Sequence, residues 1–267
     1  MDKDLKIENK KTENLTIDEK IEKFQYYKNE YLKRVTILNN DSIDSIGDFS
    51  FCGCINLESV SIPKSIKLIG RYSFYECSKL NSVIFSNESS LSTIGNCAFL
   101  RCIALNSITI PKSVESIGCL VFSKCTNLSS VIFSNESSLS NIGIQGFLYC
   151  TKLESITIPK LVKEIKNQTF ENCTNLKSVI FSNESSITSF GMKAFYRCSY
   201  LESIAIPDSV ESIGNYGFSN CIRLKSVNFS NESSLKYIGN YSFNFCAKLE
   251  LIKIPKLVKS INSQTFY

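Results

Sequence analysis

The chain contains no histidine and no tryptophan among its 267 residues, and only five prolines. Without histidine it lacks the commonest general base and the commonest metal ligand. No glycine-rich phosphate loop, Gly-x-Ser-x-Gly elbow or zinc-ribbon cysteine pattern is present. Cys52-Gly53-Cys54 is spaced too closely for the usual Cys-x-x-Cys site. The expectation is a non-enzyme with no cofactor and no metal. No apolar run is long enough to cross a membrane, and the opening Met1-Asp2-Lys3-Asp4 does not have the form of a signal peptide, so the sequence by itself favours the cytoplasm. A net charge of +5, from 30 basic and 25 acidic residues, is modest and interspersed. It provides no basic stripe for nucleic acid.

What the chain does have is a period. All five prolines, Pro63, Pro111, Pro159, Pro207 and Pro255, lie 48 residues apart, and Asn-Glu-Ser-Ser recurs at the same interval from Asn87, Asn135, Asn183 and Asn231. A fixed period of this length is the signature of a repeat array and takes precedence over any domain count from length. Each period holds two similar coils, one of 23 residues carrying the proline (Leu57 to Lys79) and one of 25 carrying the insertion (Leu80 to Ala104). The phenylalanines Phe51, Phe74, Phe99, Phe122, Phe147, Phe170, Phe195, Phe218, Phe243 and Phe266 mark ten coils, the first and last incomplete.

Within a coil, Leu57-Glu58-Ser59-Val60-Ser61-Ile62-Pro63 alternates apolar and polar residues before a proline that cannot continue a ladder, which predicts a short strand with Val60 and Ile62 inward. Ile66 to Gly70 forms a second extended stretch, and Phe74 and Cys77, three apart, are predicted on one face of a short helical turn. Gly70 recurs in most coils, as expected where the backbone takes φ > 0 or packs closely; Lys166 and Asn262 replace it in two. One coil cannot bury enough apolar surface to offset its ordering entropy, so neighbours must stack and share strand hydrogen bonds. Ten coils at about 4.8 Å per strand give a parallel-stranded solenoid roughly 45 Å long.

Leu-x-Ser-Ile-x-Ile-Pro-x-Ser-Val-x-x-Ile-Gly-x-x-x-Phe-x-x-Cys, as in Leu105 to Cys125 and Leu201 to Cys221, resembles the BspA-like subclass of leucine-rich repeats. The likeness covers about Val35 to Tyr267. It departs at the usual small residue before the phenylalanine, replaced by Ser73, Val121 and Thr169. The resemblance implies an α/β solenoid, a right-handed stack of coils with a parallel sheet on one side and short helical turns on the other. It also implies a protein-binding molecule of the surface-antigen or adhesion type. The absent signal peptide points instead to an intracellular scaffold. Near-copies such as Ile158 to Lys163 and Ile254 to Lys259 fit a variant paralogue without a dedicated ligand.

Residues 1–34 stand outside the array. Thr16-Ile17-Asp18-Glu19 matches a capping box, and Ile17, Ile21, Phe24, Tyr27 and Tyr31 follow at helical spacing, predicting a helix that covers the first coil. The other end has no such cover. Residues Leu249 to Tyr267 stop just after Phe266, which predicts a fragment of a longer array or a degenerate gene, end-to-end self-association through this coil, or simple tolerance of an open end.

Nine cysteines, Cys54, Cys77, Cys102, Cys125, Cys150, Cys173, Cys198, Cys221 and Cys246, hold one position in successive coils and are expected as buried, unbridged thiols. Three outward rows are candidate binding features. Ile84, Ile132 and Ile180, with Asn228 at the same place, alternate with Ser61, Thr109, Thr157 and Ala205; they either anchor a protein partner or merely suit a sheet. Glu154, Lys177, Glu202, Lys225 and Glu250 alternate in sign and support the register. Glu88, Glu136, Glu184 and Glu232 alternate with Lys64, Lys112 and Lys160, with Asp208 breaking the series; interleaved lysines argue against calcium and for solvated loops. The Asn-Glu-Ser triplets are glycosylation signals only if the chain is secreted.

Overall fold

The computed structural model describes residues 11–182, 184–262 and 264–267, so Met1-Asp2-Lys3-Asp4 and the triplet asparagine Asn183 lie outside the described residues. The chain winds as a solenoid with two rows of parallel strands. The first row begins with Asn14–Ile17, Arg34–Ile37, Ser59–Ile62 and Ser82–Phe85 and runs on to Leu251–Ile252. The second consists of two-residue strands such as Leu68–Ile69 and Thr93–Ile94. Side-chain alternation places Val60 and Ile62 in the core and Ser59 and Ser61 outside, because successive residues of a strand face opposite ways.

Among the described residues there is no helix, and the two helical expectations are corrected. The turns around each aromatic carry left-handed residues four apart, as Tyr72 (φ 56°) and Glu76 (φ 57°) flank Phe74. A right-handed helix admits neither. These conformations point alternate amides in different directions. The amides of Tyr72, Phe74 and Glu76 donate along the solenoid to the carbonyls of Asn96, Ala98 and Leu100, while Tyr75 and Cys77 donate within the coil to Tyr72 and Phe74. The turn side is thus hydrogen-bonded from coil to coil, which a helix, satisfied internally, would not be.

The N-terminal segment is a further coil, not a cap. Asn14–Ile17 pairs in parallel with Arg34–Ile37 along all four residues, and Ile21 bridges Ile46. Thr16, the proposed cap residue, is a solvent-facing strand residue, and Phe24 sits at φ 60°. Helical spacing was mimicked because the coil places Ile17 and Ile21 inward at i and i+4; the apolar residues buried with them are Leu15, Tyr26 and Leu32, while Tyr31 is exposed. Tyr26 occupies the phenylalanine position and stacks on Phe51 at 5.1 Å.

From Tyr26 to Phe266 the ladder rings stack coil on coil, with centroids 5.3 Å apart between Phe51 and Phe74 and 5.5 Å between Phe243 and Phe266. Phe74, Phe99, Phe122 and their equivalents through Phe218 are completely buried. The repeated glycine is a contact requirement. At Gly70 a Cβ would lie 2.7 Å from the amide nitrogen of Asp48 and the carbonyl oxygen of Ile46, and no positive φ is involved.

The nine ladder cysteines do more than fill space. Each Sγ donates to the carbonyl of the aromatic in the preceding coil, Cys77 to Phe51 and Cys125 to Phe99, both at 3.1 Å. This satisfies a buried acceptor. Burial pushes these thiols up, Cys125 to about 12. A group whose pKa is raised on folding contributes stability below its unfolded pKa, near 9 here, and loses it as pH rises toward the folded value. The unfolding temperature is therefore expected to hold to about pH 8 and to fall above about pH 9. A flat profile to pH 11, read by calorimetry, contradicts the buried thiol row. Phe122→Ala is expected to cost about 3–5 kcal/mol in denaturant unfolding, and Phe266→Ala, half-exposed at the last coil, well under half of that.

Candidate binding face

The outward positions of the strand row form one continuous face. Ile84, Ile132 and Ile180 lie on it at 55%, 51% and 52% exposure. Their cross-strand partners are Ser61, Thr109 and Thr157, and Asn228 pairs with Ala205, also outward. All four residues named from sequence reach solvent on this face. Two strand spacings, about 10 Å, separate successive isoleucines.

The backbone under this face is not uniform, and both places where the strand row divides into separate sheets lie in front of a proline-bearing strand. A strand that follows a proline-bearing one pairs along its whole length, as Ser82–Phe85 does with Ser59–Ile62 and Ser130–Phe133 with Ser107–Ile110. There the amide of Ser86 donates to the carbonyl of Ile62 at 3.0 Å. At the next junction the equivalent of Ser86 is Pro111, which has no N–H to give to Phe85. Ser82–Phe85 and Ser107–Ile110 end two separate sheets. The same happens between Ser178–Phe181 and Ser203–Ala205, while Ser130–Phe133 keeps only the Ser130 to Ser155 pair with its proline-bearing neighbour. At the first break Val83 is only partly buried, and a groove of about 950 Å³ opens, lined among others by Ile84, Phe85, Thr109, Pro111 and Ile132. The prolines were legible in the sequence; that the row divides before Pro111 and Pro207, while the strand before Pro63 still pairs over three residues with Arg34–Ile37, required the register.

The glutamate row resolves into cross-coil ion pairs, Lys64–Glu88 at 3.7 Å, Lys112–Glu136 at 3.3 Å and Lys160–Glu184 at 3.7 Å. Exposed pairs of this kind contribute about 0–1 kcal/mol each. In the fourth period Asp208 replaces the lysine; Ser230 donates to Asp208 and accepts the Glu232 amide at 3.0 Å. Among the described residues no three cysteine, aspartate or glutamate side chains converge to hold a metal ion. At the strand entrance Glu154–Lys177 and Glu202–Lys225 each close at 2.9 Å. The Lys225 hydrogen bond holds the Glu202 carboxyl below its usual range.

Sequence reasoning missed a hollow of about 580 Å³ on the turn side, formed by Arg101, Ile103, Lys124 and Tyr149 with Glu76. Glu76 accepts from the Tyr75 hydroxyl at 2.8 Å and from Arg101 at 2.7 Å, bonds that hold its carboxyl below the usual range. No repeating signal marks it, since these residues differ from coil to coil. At the far end Leu251 and Tyr267 are 79% and 76% exposed.

The alternating 23- and 25-residue coils are matched by the family model for the BspA type leucine-rich repeat region, in six copies over residues 19–150, 92–198 and 180–267. The chain belongs to this family. Among solved structures it is similar to a leucine-rich repeat protein from Bacteroides ovatus, with 29% identity and a TM-score of 0.79 over 92% of this chain and 62% of that one. It is also similar to the T. pallidum leucine-rich repeat protein, at 29% identity and a TM-score of 0.58, covering 71% of this chain and 83% of that one. The pneumococcal vaccine antigen PcpA shares the fold at 22% identity and a TM-score of 0.55, over 95% of this chain and 65% of that one. This chain thus spans less than two thirds of the Bacteroides ovatus protein. No curated protein matches it. Among the described residues no helix is long and apolar enough to cross a membrane.

Because the side chain of Ile132 is half in water, Ile132→Ser is expected to change stability by less than about 1 kcal/mol in thermal or denaturant unfolding. A loss comparable to that of a core residue would mean the row serves the fold alone.

Proposed function

We propose that this leucine-rich repeat chain is a non-enzymatic module that binds a protein partner through its strand face. The observation that carries the reading is the row of half-exposed isoleucines, two of which, Ile84 and Ile132, line the groove at the first break in the strand row. Three large aliphatic side chains held in register in water are costly unless a partner covers them. Flanking serines and threonines supply hydrogen bonds, and the ion-paired loops form a polar rim, the usual anatomy of a protein interface. Kinship with BspA-type repeats favours an antigen or adhesion role at the cell surface. A scaffold inside the cell is favoured by the thiols, since every ladder Sγ donates to a carbonyl and none is bridged. Self-association through the last coil is a second contact we propose, on the exposure of Leu251, Leu257, Phe266 and Tyr267.

Affinity capture with the wild type and with Ile84→Lys/Ile132→Lys tests the face. Partners held by the former and lost with the latter are expected; equal retention removes the strand face from the mechanism. Antibody staining of intact and permeabilised cells separates the two locations: signal only after permeabilisation overturns the surface role. Light scattering at tens of micromolar is expected to show a dimer, and a monomer overturns the tail contact.

A further inference from the structure

We propose that the hollow on the turn side binds a small molecule that joins one carboxylate to an apolar body. It shares no residue with the strand face, so this inference stands or falls apart from the partner-binding reading.

One wall of the hollow is a row of long side chains. Glu76, Arg101, Lys124 and Tyr149 hold the position before the ladder cysteine in four successive coils, and all four are left-handed, at φ 57°, 62°, 60° and 60°. Their amides donate to carbonyls of the following coil, as Arg101 does to Ser123 at 2.9 Å and Lys124 to Leu148 at 2.7 Å. The backbone beneath the wall is thus fixed before any ligand arrives. Ring-stack steps of 5.3, 5.6 and 5.5 Å in the core below set the spacing of its members.

The floor is the position just after the cysteine, held by Ser78, Ile103 and Thr126. Ile103 stands there 45% exposed, between two short hydroxyl side chains. A tall wall beside a low floor leaves the hollow of about 580 Å³, which is the size of a small-molecule site, roughly 300–1,000 Å³.

Charge selects what fits. Two cations and one carboxylate line the hollow, and the carboxylate is already engaged: Glu76 accepts from Arg101 Nη1 at 2.7 Å and from the Tyr75 hydroxyl at 2.8 Å. Lys124, one coil further on, has no ion-pair partner among the described residues. One positive charge is therefore left uncompensated beside an apolar floor. A cationic ligand meets Lys124 and Arg101, and a second negative charge meets Glu76. A single carboxylate placed between Lys124 and the remaining N–H groups of Arg101 gains charge-assisted hydrogen bonds from both. Its apolar body then covers Ile103 and the ring of Tyr149, itself 41% exposed, and takes both out of water.

Isothermal titration calorimetry of the full chain at low salt tests this with naphthalene-2-carboxylate, decanoate and the neutral naphthalene-2-carboxamide. At least one acid is expected to bind with a Kd below about 1 mM, and the carboxamide about fivefold or more weakly than its acid. Lys124→Gln and Ile103→Ser are each expected to weaken the bound acid about fivefold or more. Serine already fills the place of Ile103 one coil earlier, at Ser78, so the second variant keeps the fold, which its unfolding temperature checks. Ile132→Lys, on the strand face, is expected to leave the acid unaffected. Carboxamide binding as tight as that of the acid overturns the proposal, as does acid binding that is indifferent to Lys124→Gln or to Ile103→Ser. Acid binding lost on Ile132→Lys, or no heat from either acid up to about 5 mM, overturns it too.

Discussion

Every feature of this molecule depends on coil-to-coil registration of the buried aromatic row. A single coil presents its phenylalanine to water on both ring faces, and only the coils before and after remove that exposure. Stacking at 5.3 Å between Phe51 and Phe74, repeated through the array, fixes the axial position of each turn. The turn amides then meet the carbonyls of the next coil, and the cysteine thiols meet those of the coil before. The interaction is local between neighbours and continuous over the whole, which is why a flat, elongated exterior is available for recognition.

The same registration explains how a departure in sequence acts at a distance. Proline at every second coil deletes one amide from the strand row, yet the core aromatic, the glycine contact and the turn hydrogen bonds persist across the junction. The sheet opens where it can without the stack separating. The outward isoleucines lie on strands that precede proline-bearing ones, and a groove of the strand face is lined by two of them, Ile84 and Ile132. Stability is carried by the turn side and the core, leaving the strand face to vary.

Much of this was legible because the repeat averages out local ambiguity. The inward Val60 and Ile62, the nine aligned thiols and the outward isoleucines were placed by a pattern seen many times over. Residues 11–34 were misread as a helix because they were weighed alone: Ile17 and Ile21 satisfy helical spacing and coil spacing equally. Tyr26, in place of phenylalanine, and Asn29, in place of cysteine, concealed the match. The helical reading of the Phe74 to Cys77 turn failed for a different reason. Spacing of three fits a helical face, and nothing in side-chain pattern reports the left-handed φ of Tyr72 and Glu76.

The amino-acid sequence by itself determined the period, the strands, which side chains face inward and the need for stacking, since all of these follow from apolar alternation and from the inability of one coil to bury itself. The tertiary structure alone decided the winding of residues 11–34 as a further coil, the conformation of the turns, the glycine contacts and where the strand row divides. Those depend on where each amide and carbonyl finds its partner, and the partner lies 23 or 25 residues away on a neighbouring coil, beyond the reach of any local pattern.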